Sequence, residues 1–485
     1  MQQARHRSVI CGFLVLIALV SVLSRPCPAA EYLAHNADDI AVALRKAAPG
    51  DSIVLEDGTW IDQYIQFEGE GTESAPLVLR AKTPGAVVLT GRSHLDISGR
   101  WLVVEGLRFE NGALEQGQHI VRFSGKRGEA SDSRLTNVAI VNYNPQDPRL
   151  RYFWVSLHGR NNRVDHSRFE GQNHSGPTVV VWRKPGVRDG HIIEYNYFLN
   201  RPPGDGNGFE TIRIGTSVDA SSDSGTVVQL NLFERTNGEG EIISVKSGDN
   251  DIRFNTFRQA AGTVTLRHGN GNRVTGNFFL GDHAKGSGGI RVMGGRHVIA
   301  NNYLQDLAGH AGGGIVFTCG HADGRPAGNS PVTNVVVAHN TLAHNARAAF
   351  KLDSGCGTQG RTERPGNVQL LNNLVVENAG PLFEGEAGEN VALAGNLLLG
   401  KADPGLLPGG VRVGDTKLTF APDHLWRPGV DSPVVDAGVA TGIVLIDMDG
   451  QERDAAPDIG ADELSAAAVV TKPLTSRDVG PAWMK

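Results

Sequence analysis

The chain has 485 residues, 62 of them glycine, with 6% aromatic residues and a formal charge of −6. So much glycine with so few aromatics argues for many short strands and turns and against a helical bundle. The acidic balance excludes a general nucleic-acid binder but leaves room for a local basic groove.

Residues 1–30 read as an export signal. Arg5 and Arg7 give a basic start, Val9 to Leu23 is apolar, and Pro28-Ala29-Ala30 offers small residues for cleavage. The apolar run is short for a membrane span and nothing comparable follows. The expected product is therefore a soluble protein, periplasmic or secreted. Losing Arg5, Arg7 and Arg25 takes the formal charge from −6 to −9. Cys11 and Cys27 leave with the signal. Cys319 and Cys356 remain, and an oxidising compartment favours a disulfide between them over two free thiols.

Residues 31–76 read as an N-terminal cap with the first strands. Asn36-Ala-Asp-Asp39 is a helix start signal ahead of a short amphipathic stretch from Ile40. A helix placed there would cover an otherwise open sheet edge.

From about residue 77 to 400 one unit keeps returning, a β-branched or apolar residue three places before Asn and an apolar residue two places after it. Its asparagines are Asn196, Asn231, Asn255, Asn277, Asn302, Asn340, Asn373 and Asn396. The shorter spacings are 24, 22, 25 and 23 residues, and the longer ones fit the same unit with a loop inserted. Three short strands per period in the low twenties mark a parallel β-helix, an all-β solenoid. Leucine-rich repeats share the period but need a leucine ladder that is absent. Stacked turns would line the asparagines up as a ladder of amide hydrogen bonds.

A second column follows the asparagines. It runs through Arg213, Lys246, Arg267 and Arg291, with Arg183 before it and Lys351 after it. Alternation places Ile212, Ile214, Val245, Leu266, Ile290 and Val292 inward, and the cations outward and one above another. Stacked like charges repel unless an anionic partner lies between them, so the column predicts a groove for a polyanion. After residue 400 the repeat fades, and 401–485 reads as a C-terminal cap. Within it Asp447-Met-Asp-Gly450 lacks the spacing of an EF-hand loop and reads as turn chemistry.

Glu239 and Glu241 fall in the turn just before Lys246, with Asn207 at the matching position one turn earlier. Two carboxylates and an amide carbonyl form an all-oxygen set that suits Ca²⁺. Zinc is disfavoured because no cysteine is near and His268 stands alone. An acidic turn paired with Arg213 or Lys246 would account for the same residues equally well.

Glu239-Gly-Glu-Ile-Ile-Ser-Val-Lys246-Ser, followed by Leu266-Arg267-His268-Gly269, resembles the active-site signature of polysaccharide lyase family 6. That family holds alginate lyases and the dermatan-sulfate lyase chondroitinase B. Asn207-Gly-Phe-Glu210-Thr-Ile-Arg213 and Gly288-Gly-Ile-Arg291 fit the same pattern. The resemblance implies a right-handed parallel β-helix, Ca²⁺ held by Asn207, Glu239 and Glu241, Lys246 as base and Arg267 as acid. Glu210 is the alternative to Asn207 as third ligand. Gln172-Asn-His174 departs from the pattern, which leads one to expect a lysine there.

On this basis a uronate-containing polysaccharide would be cleaved by β-elimination. Lys246 must act as a neutral amine to take the C5 proton, and neighbouring cations favour that form. Arg183, Arg213 and Arg291 are expected to hold neighbouring uronates, and His268 either joins them or packs inside the turn. A β-helix hydrolase would need paired aspartates on adjacent turns, where this chain carries cations. Alginate is the expected substrate. Dermatan or chondroitin sulfate, and a non-catalytic polysaccharide-binding role, are the alternatives.

Overall fold

The computed structural model describes residues 29–324, 328–400 and 410–485; the export-signal stretch up to residue 28 lies outside them. The described chain winds as a parallel β-helix. Three sheets of fourteen strands run its length, and each turn contributes one strand to each sheet. Successive strands pair in parallel register, as in Val228↔Ile252↔Val274↔Ile299↔Val337. The interior is mainly apolar, and Phe169, Phe198, Phe233, Phe257 and Phe279 stack in one column with centroids 4.6–5.2 Å apart. That spacing is close to the ~4.8 Å rise of one strand on the next.

The asparagines form the ladder that the period predicts. Each Nδ2 donates to the next Oδ1 at 2.9–3.0 Å, from Asn196 through Asn231, Asn255, Asn277, Asn302, Asn340 and Asn373 to Asn396. The same Oδ1 also accepts the backbone N–H of the preceding asparagine, as between Asn255 and Asn277 at 3.0 Å. The residue before each ladder asparagine turns the corner in a left-handed conformation. Leu230 and Phe254 do so at φ 54° without being glycine, a strain the buried amide network holds in place. A second ladder that the repeat did not announce runs through Thr226, Asn250, Asn272 and His297.

The solenoid begins earlier than the repeat does. Ser52–Leu55 already pairs with Leu77–Ala81. The helix Ala37–Leu44 starts where Asn36 accepts the Asp39 N–H at 2.9 Å, and it buries Ile40 and Ala43.

The C-terminal stretch does more than close the last turn. Val434 and Ile459 pack on Leu374 and Leu397, and Leu425, Met448 and Ala461 on Phe278 and Tyr303. Leu474 and Val479 pack on Tyr197 and Leu232, and Trp483 donates from Nε1 to the Asn137 carbonyl at 3.0 Å. The chain thus runs back along one outer face toward its own first turns. Asp447 makes a turn there, its carboxylate accepting the N–H groups of Asp449, Gln451 and Glu463. Arg427 bridges the adjacent Asp449 and Asp462.

Candidate active site

One sheet carries the polar groups of interest, on strands Val179–Val181, Ile212–Ile214, Glu241–Lys246, Gly262–His268 and Ser287–Val292. Ile212, Ile214, Val245, Leu266, Ile290 and Val292 all point inward and are fully buried. Their alternating neighbours face out.

The cations do not form one column. Arg213 pairs across to Ser244, Ser244 to Thr265, and Thr265 to Arg291. Lys246 lies two residues beyond Ser244, and Arg267 two beyond Thr265, so they make a second, shorter column about 7 Å along the strands. Aligning the closing glycines merged the two. Arg213 and Ser244 pair without a shift, and the shift between Val245 and Lys246 falls within the second column, where it sets Lys246 opposite His268.

Arg183 is no substrate residue. Its side chain is fully buried and donates to Asp189 at 2.7 Å and to the carbonyls of Ser222, Val187 and Asp223. It builds a loop and is buried out of a ligand's reach. His268 is also closed off. It is 1% exposed and lies 3.0 Å from Ser217 Oγ. Burial, then Arg267 and Lys246, push its pKa down to about 4, so the ring is neutral. Gln172 and His174 are buried as well. Gln172 accepts from Arg201 and Thr178, and His174 stacks on Tyr152 at 3.8 Å.

The remaining residues converge. Glu239 Oε2 accepts the N–H groups of Gly208 at 2.6 Å and Phe209 at 2.8 Å, which ties the exposed Asn207 loop to the acid turn. Ser244 Oγ donates to Glu241, and Arg267 Nε lies 4.0 Å from Glu241 Oε1. Lys246 Nζ is 3.6 Å from Glu210 Oε1. Arg267 Nη1 donates to Asn329 Oδ1 at 2.6 Å, and Arg291 Nε to Thr318 Oγ1 at 3.2 Å. Arg213 lies over the Trp182 ring at 5.1 Å, with a buried Nε that has no partner among the described residues. Burial lowers the pKa of Arg213, Arg267 and Arg291 alike.

The acid turn crowds carboxyl groups together. Burial, then the Glu210 carboxylate, raise the pKa of Glu239 to about 7, against two backbone hydrogen bonds that lower it. Glu210 is 1% exposed, and its Oε2 has no hydrogen-bond partner. Crowded carboxyl oxygens with one left orphaned fit a hard cation. The tightest acid trio among the described residues is elsewhere, at Asp447, Asp449 and Asp462, where Arg427 already supplies the positive charge.

Sequence reasoning did not pair Lys246 with Glu210, nor foresee Asn329 or Arg201. Arg201 sits fully buried behind the acid turn, brought down to about 10 by burial. Asn329 comes from a loop beyond Cys319, which is disulfide-bonded to Cys356 with Cα atoms 5.2 Å apart. The second cysteine of the pair was the one sequence sign that this loop is held.

Comparison with known proteins agrees with this architecture. The chondroitinase B family model matches residues 34–423. The alginate lyase AlyGC, of the PL6 family, is 32% identical with a TM-score of 0.79; the match covers 93% of this chain and 58% of that one. The polysaccharide lyase Pedsa3628 from Pseudopedobacter saltans, also PL6, is 28% identical over 93% of this chain and 99% of its own, with a TM-score of 0.72. A mannuronic-acid-specific family 6 lyase from human gut microbiota is 29% identical over 80% and 91%, with a TM-score of 0.69. No curated protein sequence matches the chain. With the family model spanning most of its length and these lyases sharing its coil, the chain belongs to the chondroitinase B family, polysaccharide lyase family 6.

Proposed function

We propose that this protein is an exported polysaccharide lyase that cleaves a uronate-containing polymer, alginate first, by calcium-assisted β-elimination. The observation that carries this is the gathering of an amine, a guanidinium and a set of crowded carboxyl groups on one outer face. Arg267 stands 4.0 Å from Glu241, and Lys246 stands 3.6 Å from Glu210, whose carboxylate acts in turn on Glu239. The similarity to alginate lyases supports the substrate.

Asn207, Glu239 and Glu241 would hold the cation. When bound, Ca²⁺ neutralises the uronate carboxylate and stabilises the enolate-like charge that develops beside it. Lys246, as neutral amine, takes the C5 proton; Glu210 anchors its Nζ on the side away from solvent. The electron pair forms the C4–C5 double bond as the C4–O bond breaks, and the leaving oxygen takes a proton from the Arg267 side. Burial makes Arg267 a stronger acid than a free guanidinium, and Asn329 fixes its orientation. Arg213 and Arg291, flanking the centre, hold neighbouring uronates.

The test is to incubate the purified protein with polymannuronate, polyguluronate and dermatan sulfate and follow the ultraviolet absorbance of a 4,5-unsaturated uronate. Activity on at least one polymer, lost on chelation and restored by Ca²⁺, is the expected result. The dermatan arm matters because the matching family model bears the chondroitinase B name. A protein that binds these polymers without releasing unsaturated ends is the non-catalytic alternative, and that outcome rejects the lyase.

A further inference from the structure

The loop Leu307–Gly313 lies where the strands of the active sheet begin, beside the acid turn. It is fastened at several points. Leu307 N–H donates to Asn345 Oδ1 at 2.9 Å, Ala308 N–H to Ser287 Oγ at 2.8 Å, and Gly309 N–H to the Ser287 carbonyl at 2.9 Å. Gly309, Ala311 and Gly312 all take left-handed backbones, at φ 82°, 59° and 100°. Ala311 adopts that conformation at a cost in strain. This tight bend projects His310.

His310 reaches back across the sheet to the residue between the two glutamates. A Cβ added at Gly240 would stand 2.7 Å from His310 Nε2. The backbone of Gly240 is not left-handed, so the turn itself does not demand glycine there. The imidazole is what a methyl group there would meet, and the ring would have to swing away. Among the described residues neither ring nitrogen has a hydrogen-bond partner, and the side chain is half-buried. Burial, then Arg291, keep the pKa below its ordinary value. The ring therefore stands beside the acid turn with its nitrogens unpartnered among the described residues.

We propose that His310 contacts the substrate, donating its ring N–H to the uronate carboxylate that docks at the Glu239–Glu241 turn. It would hold the uronate beside that turn, in the site that Lys246 serves. This assignment rests on the uronan-lyase reading of the site. The glycine between the glutamates then serves binding, by leaving room for the ring.

Three variants test it, with steady-state kinetics on the best polymer and thermal melting in parallel. His310→Ala should raise KM about tenfold, the loss expected for one hydrogen bond to a charged group, with kcat within about twofold and an unchanged melting temperature. His310→Asn, which keeps a donor, should recover part of the affinity. Gly240→Ala should reproduce the KM defect by displacing the ring. If the wild-type protein shows no lyase activity, the proposed function fails by itself. His310 is then tested by calorimetric binding of a uronate oligosaccharide to the Lys246→Ala protein with and without His310→Ala. An unchanged KM and oligosaccharide affinity in His310→Ala, or a defect confined to kcat, overturns the assignment.

Discussion

Lys246 is a half-buried side chain on an outer strand face, and its neighbours fix what its loss should do. Its backbone belongs to a paired strand, and its aliphatic stem fills no core space. Lys246→Ala should therefore lower kcat by about 10²-fold or more, the range of a positioned proton acceptor, with a melting temperature like that of the wild type. A variant with near wild-type turnover would assign the proton to another group. Glu239 gives a second prediction at this scale. Its carboxyl titrates near 4.5 in the unfolded chain and about 7 in the fold without a cation. The folded state thus binds the extra proton, and the metal-free protein loses stability as pH rises from 4.5 through 7. A cation that replaces this proton removes the penalty. The gain in melting temperature on adding Ca²⁺ should be larger at pH 8 than at pH 5.5. An equal gain at both values would mean that Ca²⁺ binds without Glu239.

At the scale of the strand and its corner, the asparagine ladder is a chain of shared hydrogen bonds. Asn277 donates to Asn302 and to the Ile252 carbonyl, and it accepts from both the amide and the backbone of Asn255. Asn277→Ala strands several buried groups at 1–3 kcal/mol each and should cost about 3 kcal/mol, read as a lower denaturant midpoint. A loss below about 1 kcal/mol would show that the corner relaxes without it. This ladder was legible because it is local: one turn and one residue type recurring at a short period. The inward apolar residues were legible for the same reason, since alternation needs only neighbours. The relation of Lys246 to Arg213 was not, because the glycines that close the two strands are not register partners: Arg213 pairs with Ser244 and Ile214 with Val245, which leaves Lys246 beyond Arg213. Arg183 looked outward by alternation, yet the carbonyls of Val187, Ser222 and Asp223 close over it, whereas His268 packs inside, the side that alternation favoured. Glu210, Asn329 and His310 reach the site from inserted loops, whose paths depend on distant anchors such as Ser287, Asn345 and the Cys319–Cys356 link.

The whole molecule is a stack whose turns touch mainly their nearest neighbours, an arrangement that ordinarily frays from its ends. Here the C-terminal stretch fastens late turns to early ones. Trp483 covers Gly85 and donates to Asn137, Gly480 bonds the Tyr195 carbonyl, and Leu474 bonds Thr256. Removing residues 465–485 should uncover Tyr197, Leu199 and Leu232. A lower melting temperature and a broader transition are expected by calorimetry, with the groove's substrate preference unchanged. A truncated protein that melts as sharply as the full chain would make this stretch ornamental. The return path also joins the two ends of the stack into a circuit. Peeling from the first turn must release Trp483, and peeling from the last must drag on the segment lying across the middle. A rod of weakly coupled turns thereby acquires the all-or-none response of a compact globule, and its final residues act as the latch.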